Sequence, residues 1–453
     1  ALQLAASINA TDIAAGLHWQ AGRILKQQQK VEPAIAAYSQ AVDNLSSLRG
    51  DLVAVNPDVQ FSFRKSVEPV YRELVSLLLT NPTQDNLRQA RETIESLQLA
   101  ELDNFFREAC LEAEPTRIDE VDDGAAVIYP IILDDRLATI VSIGGGPLQH
   151  YETQIDRETL ETRLRRARAL LNLAASNAER LELYQEIYGW LIAPIEADLA
   201  ANNTETLVFV LDGVLRNVPM SALHDGENYL IEKYGVALTP GLQLLASKQL
   251  ETHELKAVAA GISEARQGFV ALPGVEKEVK EIAEKMSARV LLDSEFTSES
   301  LMRLIQSTPY PVLHLATHGQ FSSDIEDTFV LTWDGKINLE QLNNLLQSRD
   351  ELRSGAIELL VLSACQTARG DDRAVLGLAG LAVRSGARST MATLWAVRDE
   401  STAQLMSEFY QQLGQPEATK AEALRQAQLN LIADPNFNHP YYWAPFVLVG
   451  NWL

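Results

Sequence analysis

From about residue 254 to the carboxyl end, short apolar runs alternate with stretches of helical spacing, and this alternation restricts the fold more than any other feature. KAVAAGI, RVLLD, PVLHLATHG, IELLVLSAC, STMATLWAV and FVLVGNWL are apolar and bounded by small or polar residues, as buried strands are. Between them lie LPGVEKEVKEIAEKM, SESLMRLIQ, a stretch around Leu339 to Gln347, AVLGLAGLAVRSG, STAQLMSEFYQQLG and ATKAEALRQAQLNLI, all helical in spacing. Gly386 supplies a helix stop, and Asp334-Gly335 supplies a tight turn. Strand alternating with helix predicts a mostly parallel sheet covered on both faces, a three-layer αβα arrangement.

Two of these strands end on reactive side chains. The first delivers His318 and Gly319 just past its end, the second Cys365. Ligands of open α/β sheets bind outside the carboxyl ends of the strands, so two neighbouring strands place an imidazole and a thiol at one edge. Thiolate, not thiol, attacks a carbonyl, and a free cysteine with pKa about 8.5 is only slightly ionised at neutral pH. A neighbouring imidazole lowers that pKa and later protonates the leaving amine. Ala364-Cys365-Gln366, with its histidine about 50 residues upstream, has the spacing of a caspase-type nucleophile. The plain reading, a small buried cysteine after an apolar strand, leaves the matched His318 unexplained. The N–H groups of Gly319 and Cys365 are candidates for an oxyanion hole, where one donor is worth about 3 to 4 kcal/mol.

A metal site is a poor fit. His314 and His318 lack the glutamate of a HExxH helix, and on a strand they lie about 13 Å apart at roughly 3.3 Å per residue. His314 reads as a core histidine. After MATLWAVR come Asp399 and Glu400, which either open the next helix or face a pocket. Ser401-Thr402-Ala403-Gln404 supplies a capping box of its own, which leaves Asp399 free to project into a pocket. Trp395 to Val397 offers backbone for an extended substrate.

The preceding chain has two textures. Residues 1–116 read as helical. Leu17 to Leu45 places Gly22, Leu25, Ala34, Tyr38 and Ala41 at tetratricopeptide spacing, and Tyr71 to Leu97 is a weaker copy punctuated by Pro69 and Pro82. Two such units fall short of a free-standing solenoid, so they cap a longer array or pack on the next domain. Residues 117–253 read as an α/β segment: strands AAVIYPIIL and LATIVSI, a glycine turn at Gly144-Gly145-Gly146, helices at about Asp156 to Asn177 and Ala178 to Ala200, and a buried strand TLVFVLDG. No Lys-Ser/Thr helix follows the glycines, so they are not a phosphate loop.

With 38 basic and 61 acidic residues the net charge is -23, which argues against a general nucleic-acid surface and suits a basic substrate segment. No apolar run reaches the roughly 18 to 20 residues of a membrane span. The two cysteines, Cys110 and Cys365, form no disulfide framework or metal pattern, and without an export signal the expectation is a cytoplasmic, reducing compartment. The chain opens at Ala1 and enters a helix without a start signal, as a fragment or processed chain does.

Together HLATHG, LSACQT, LPGVEKEV, GLAGLAVRSGARS, TLWAVRDEST and HPYYWAPFVLVGNW resemble the CHAT family, caspase-like proteases often fused to tetratricopeptide repeats and similar to separase. The likeness covers about 120 to 453. VFVLDGVLRNVPMSALHDGENYLIEKYGVALTPG is similar to the family's upstream, catalytically dead caspase-like subdomain. The resemblance implies a helical front at 1–116, a pseudo-caspase subdomain at 117–253 and an active caspase-like domain at 254–453. It also implies His318 as general base, Cys365 as nucleophile and Gly319 in the oxyanion hole. Asp399 maps to the acid that binds an Arg or Lys side chain before the scissile bond, with Glu400 adjacent.

The expectation is a cysteine endopeptidase cleaving after Arg, or after Lys, without cofactor or metal. Asp399, Glu400, Trp395 and Val397 would contact the substrate, and the helical front would bind a partner, an activator or the substrate. Arg369 and Arg373 beside the nucleophile are candidate self-cleavage sites. A caspase fold that only docks signalling partners, and a cysteine acyl transferase, are the competing readings. An intact His/Gly/Cys set argues against the first, and amide exchange with added amines would mark the second.

Overall fold

The computed structural model describes residues 10–48, 63–106, 122–239, 241, 256–307, 310–322, 327–351, 357–363, 365–367 and 387–453. Both expected domain boundaries, the helix AVLGLAGLAVRSG, and Arg369 and Arg373 lie outside them. The chain divides into two compact units. One comprises Ala1–Glu112, Ile131–Ser142 and Gly146–Arg157; the other comprises Ala113–Pro130, Ile143–Gly145 and Glu158–Leu453.

In the first unit, α1 (Thr11–Gln27) and α2 (Val31–Ser47) form a hairpin, and α3 (Glu68–Leu78) and α4 (Gln84–Phe106) a second one. The tetratricopeptide spacing is thus realised as two helix pairs. Gly22 sits where α1 meets α2: a Cβ there would stand 2.9 Å from ring carbons of Tyr38. That ring cannot yield, because Tyr38 is fully buried and its hydroxyl donates to Glu73 at 2.7 Å. Glu73 also accepts from Trp19 Nε1 at 3.2 Å and pairs with Arg23 at 2.5 Å. Burial lifts the Glu73 carboxyl, but the Arg23, Tyr38 and Trp19 donors outweigh it and hold the group below its ordinary value. β2 (Arg136–Ile143) and β3 (Gln149–Gln154) pair antiparallel, joined through the glycine turn, where Gly144 and Gly145 take positive φ of 52° and 69°. Gln84 clamps the turn, donating to the Leu148 carbonyl at 2.8 Å and accepting its N–H at 3.0 Å.

The second unit is built on one sheet in the order β1-β4-β5-β15-β14-β12-β8-β6-β7. Its strands are β1 (Ala125–Ile132), β4 (Thr206–Phe209), β5 (Gly235–Leu238), β6 (Lys256–Gly261), β7 (Ser287–Leu292), β8 (Val312–Ala316), β12 (Leu359–Leu362), β14 (Ser389–Thr393) and β15 (Phe446–Gly450). Every neighbouring pair is parallel except β14 with β15. The sheet therefore consists of two parallel runs joined at one antiparallel seam, and the last strand in sequence lies at that seam. A four-stranded sheet, β11-β10-β9-β13, comprises β9 (Gly319–Phe321), β10 (Phe329–Leu331), β11 (Lys336–Asn338) and β13 (Cys365–Thr367).

Helices α5 (Arg157–Ala169), α6 (Asn177–Leu191), α7 (Gly274–Lys285), α8 (Ser298–Ser307), α9 (Leu339–Glu351), α10 (Asp399–Leu413) and α11 (Lys420–Ala433) complete the elements used below. The helix expected at 156–177 ends at Ala169, and the next is capped by Ser176, which accepts the Glu179 N–H at 3.4 Å. The capping box expected at Ser401 does not form. Helix α10 begins at Asp399, and Ser401 Oγ donates to the Arg398 carbonyl at 2.9 Å from inside the first turn.

One buried polar cluster ties β8 to both helices above it. His314 is fully buried; its Nε2 donates to Glu278 of α7 at 2.8 Å, and its Nδ1 lies 3.0 Å from the Tyr410 hydroxyl of α10. It is the core histidine the sequence predicts.

Two stability changes follow. Glu278→Ala removes one partner of a buried pair and is expected to cost about 3 to 5 kcal/mol, read as a lowered urea midpoint. Gly22→Ala should destabilise the helical front by about 1 to 3 kcal/mol through overpacking, despite alanine's better helix propensity; a raised melting temperature would refute that close packing.

Candidate active site

Strands β8 and β12 are parallel neighbours with Leu315 opposite Leu362, so both deliver their next residues to the same end of the sheet. The chain then enters the small sheet, where β9 and β13 pair in parallel with Gly319 opposite Cys365. The register has slipped by one residue between the two sheets, since four steps separate Leu315 from Gly319 and three separate Leu362 from Cys365. The extra step falls within residues 316–318. The structure thus brings His318, Gly319 and Cys365 together on adjoining strand ends.

His318 is held from its far side. Its Nε2 lies 2.8 Å from the Val270 carbonyl, and its ring stacks on Phe269 with centroids 5.0 Å apart. A carbonyl oxygen only accepts, so Nε2 carries the hydrogen and Nδ1 of the neutral ring keeps the lone pair. Phe269 and Val270 belong to a tight hairpin in which Arg266 and Phe269 exchange backbone hydrogen bonds of 3.1 and 2.8 Å around Gln267 and Gly268 at positive φ. Both residues were missed in sequence, although RQGF between a strand and a helix carries a turn signal. The hydrogen bond from His318 could not have been read there, because it joins segments 48 residues apart.

Asp399 is half-buried. Its carboxylate accepts the N–H of Gly274, the first residue of α7, so it caps a different helix from the one it opens. Burial raises its pKa; the Glu278 and Glu400 charges add to this, and the Gly274 N–H and the nearby His318 oppose it. Glu400 is exposed. Trp395 is buried, with the Arg168 guanidinium 4.1 Å above its ring and its Nε1 donating to the Tyr441 carbonyl at 3.1 Å. Val397 is half-buried in the same connection, where the Ala396 carbonyl accepts the Tyr441 hydroxyl at 3.0 Å. Among the described residues no group of three or more His, Cys, Asp or Glu could hold a metal ion.

Residues 181–451 match the family model of the CHAT domain. The human tetratricopeptide repeat protein 28 is 23% identical over 322 residues, which is 58% of this chain and 13% of that protein. Two crystal structures of the Saccharomyces cerevisiae separase–securin complex are similar in fold, with TM-scores of 0.53 and 0.50 at 10% identity. They cover 93% and 94% of this chain, and the chain covers 37% and 38% of theirs. This chain therefore spans only a small part of the first relative and well under half of the second. Its architecture is the mixed α/β, caspase-like one of separase, preceded by a helical region. The chain belongs to the CHAT domain family.

Proposed function

We propose that this chain is a cysteine endopeptidase that cleaves proteins after Arg or Lys, with Cys365 as nucleophile and His318 as base. The observation that carries the reading is the pairing of Gly319 with Cys365 directly beyond two adjacent parallel strands. In this reaction the Cys365 proton passes to Nδ1 of His318, and the thiolate adds to the substrate carbonyl. The oxyanion is met by backbone N–H groups at Gly319 and Cys365. Collapse breaks the C–N bond as His318 returns the proton to the departing amine, and water then releases the acyl group from sulfur. The Val270 carbonyl acts through the imidazole, holding the tautomer that leaves Nδ1 free.

Asp399 supplies the preference for a basic residue. Gly274 takes one lone pair of its carboxylate, and the rest remain for a guanidinium or ammonium. Glu400, Trp395 and Val397 line the approach. The helical front binds a partner or the substrate, as the repeat name of the human relative suggests, and the enzyme works in a reducing, cytoplasmic setting.

Fluorogenic peptides ending in Arg, Lys, Asp or Leu test this. Cleavage after Arg or Lys should vanish in Cys365→Ala and fall about 10²- to 10⁴-fold in His318→Ala. Cleavage after Leu or Asp alone would keep the dyad and discard Asp399 as the pocket acid. If the chain cleaves none of these and its Cys365 also fails to react with a peptidyl acyloxymethyl ketone, it is a docking module and the reading is lost.

A pH signature follows from the raised Asp399 pKa. Its ionised form is needed to bind the basic side chain and is disfavoured by burial. The ratio of kcat/KM for Arg over Leu peptides should therefore decline on acidification at a pH above the ordinary aspartate range. Asp399→Asn should flatten that profile.

A further inference from the structure

We infer that Phe269 and Val270, which leave the hairpin turn, with Phe329 and Lys336 beside them, form a second specificity element. It selects an apolar substrate side chain next to the scissile bond on the imidazole side, followed by an acidic one. This rests on the endopeptidase reading and extends it to a residue position that Asp399 does not reach.

Val270 is 71% exposed, the most exposed of the large apolar side chains among the described residues. Exposed single apolar residues are ordinary on mobile loops, but this one is presented by a braced turn. Ser263 anchors the base, its N–H and hydroxyl donating to Asp293 at 2.7 and 2.8 Å. Arg266 donates to the Trp333 carbonyl at 2.6 Å and lies 3.8 Å over the Trp333 ring. Leu272 closes the loop by donating to the Ser263 carbonyl at 2.9 Å.

This segment also adjoins the imidazole directly. The Phe269 ring packs on His318, and Phe329 meets Phe269 edge-on at 5.9 Å, which extends the apolar surface. A peptide whose carbonyl lies between Cys365 and His318 must pass a flanking side chain over this surface. Burying that side chain against Val270 and Phe269 removes apolar area from water on both partners.

Lys336 sets the charge. Its ammonium lies 3.8 Å from the Phe329 ring centroid and 5.6 Å from that of Phe269, and no carboxylate pairs with it among the described residues. In a chain of net charge -23, a lysine kept on aromatic faces beside the site offers a cation to an incoming acid.

The test uses the full chain and peptides that share Arg before the cleaved bond. The flanking pair is Leu-Asp, Ser-Asp or Leu-Lys, placed on each side of the bond in turn. For wild type, kcat/KM should favour Leu-Asp on one side only. Val270→Ser should reduce the Leu-over-Ser ratio about tenfold, and Lys336→Glu should reverse the Asp-over-Lys ratio. Equal losses on all peptides, or no change in either ratio, would overturn the proposal while leaving the protease intact. If wild type cleaves nothing, labelling of Cys365 by the acyloxymethyl ketone decides the endopeptidase reading, and fluorescence anisotropy of labelled Leu-Asp peptide decides the surface. Binding weakened by Val270→Ser and by Lys336→Glu upholds it, and binding indifferent to both, or absent, refutes it.

Discussion

Everything at the candidate site depends on the parallel pairing of β8 with β12. These strands are buried at every residue and lie between other parallel strands, so their ladder is shielded from water and a one-residue slip would swap every side chain between two packed faces. With Leu315 fixed opposite Leu362, His318 and Cys365 emerge at the same end of the sheet with no further adjustment. The small sheet then refines the placement, since the slip of one residue advances the histidine segment relative to the cysteine segment. Reactive groups positioned by a rigid ladder lose little entropy on reaching reacting geometry.

The helices above the sheet are bound into the same construction. Through His314, the strand that leads to His318 is hydrogen-bonded to Glu278 of α7 and in contact with Tyr410 of α10. Asp399, at the start of α10, in turn reaches the first N–H of α7. A shift of α7 would therefore disturb both the strand before His318 and the acid proposed to read the substrate. The hairpin holding the imidazole runs straight into α7, so three groups around the site share one mechanical support. Buried polar clusters stabilise weakly but penalise wrong arrangements heavily, which suits a site assembled from segments distant in sequence.

The alternation of strand and helix was legible without coordinates, as were the ends of β8 and β12 and the burial of His314, because IELLVLSAC is an apolar run closed by small residues and EVKEIAEK carries a helical period. The tetratricopeptide spacing correctly located the close approach at Gly22. What stayed hidden has common causes. Very short strands such as Gly319–Phe321 and Cys365–Thr367 are too brief for periodicity to register. The seam at β15 depends on topology, which an apolar run such as FVLVG does not encode. Asp399 read as a residue left free by a capping box at Ser401, whereas α10 starts two residues earlier and its first carboxylate serves another helix. Local rules placed the cap at Ser401 and carried no sign that Asp399 caps a helix distant in sequence.

That last detail bears on how a carboxylate can cap a helix and still recognise a basic side chain. A single N–H at a helix terminus takes one acceptor position and adds a partial positive charge, which favours the ionised acid. Half-burial and the Glu278 and Glu400 charges oppose ionisation, and the balance leaves the pKa raised. Such an acid is underpaired: the cap orients it without neutralising it. In the proposed role, an incoming guanidinium would supply the missing charge in a half-buried environment, where a charge-assisted hydrogen bond is stronger than at an open surface. A fully paired aspartate would have to break a salt bridge before binding, and a fully exposed one would gain little from the contact. The cap on α7 places Asp399 between these limits, with its orientation set in advance of the partner proposed for it.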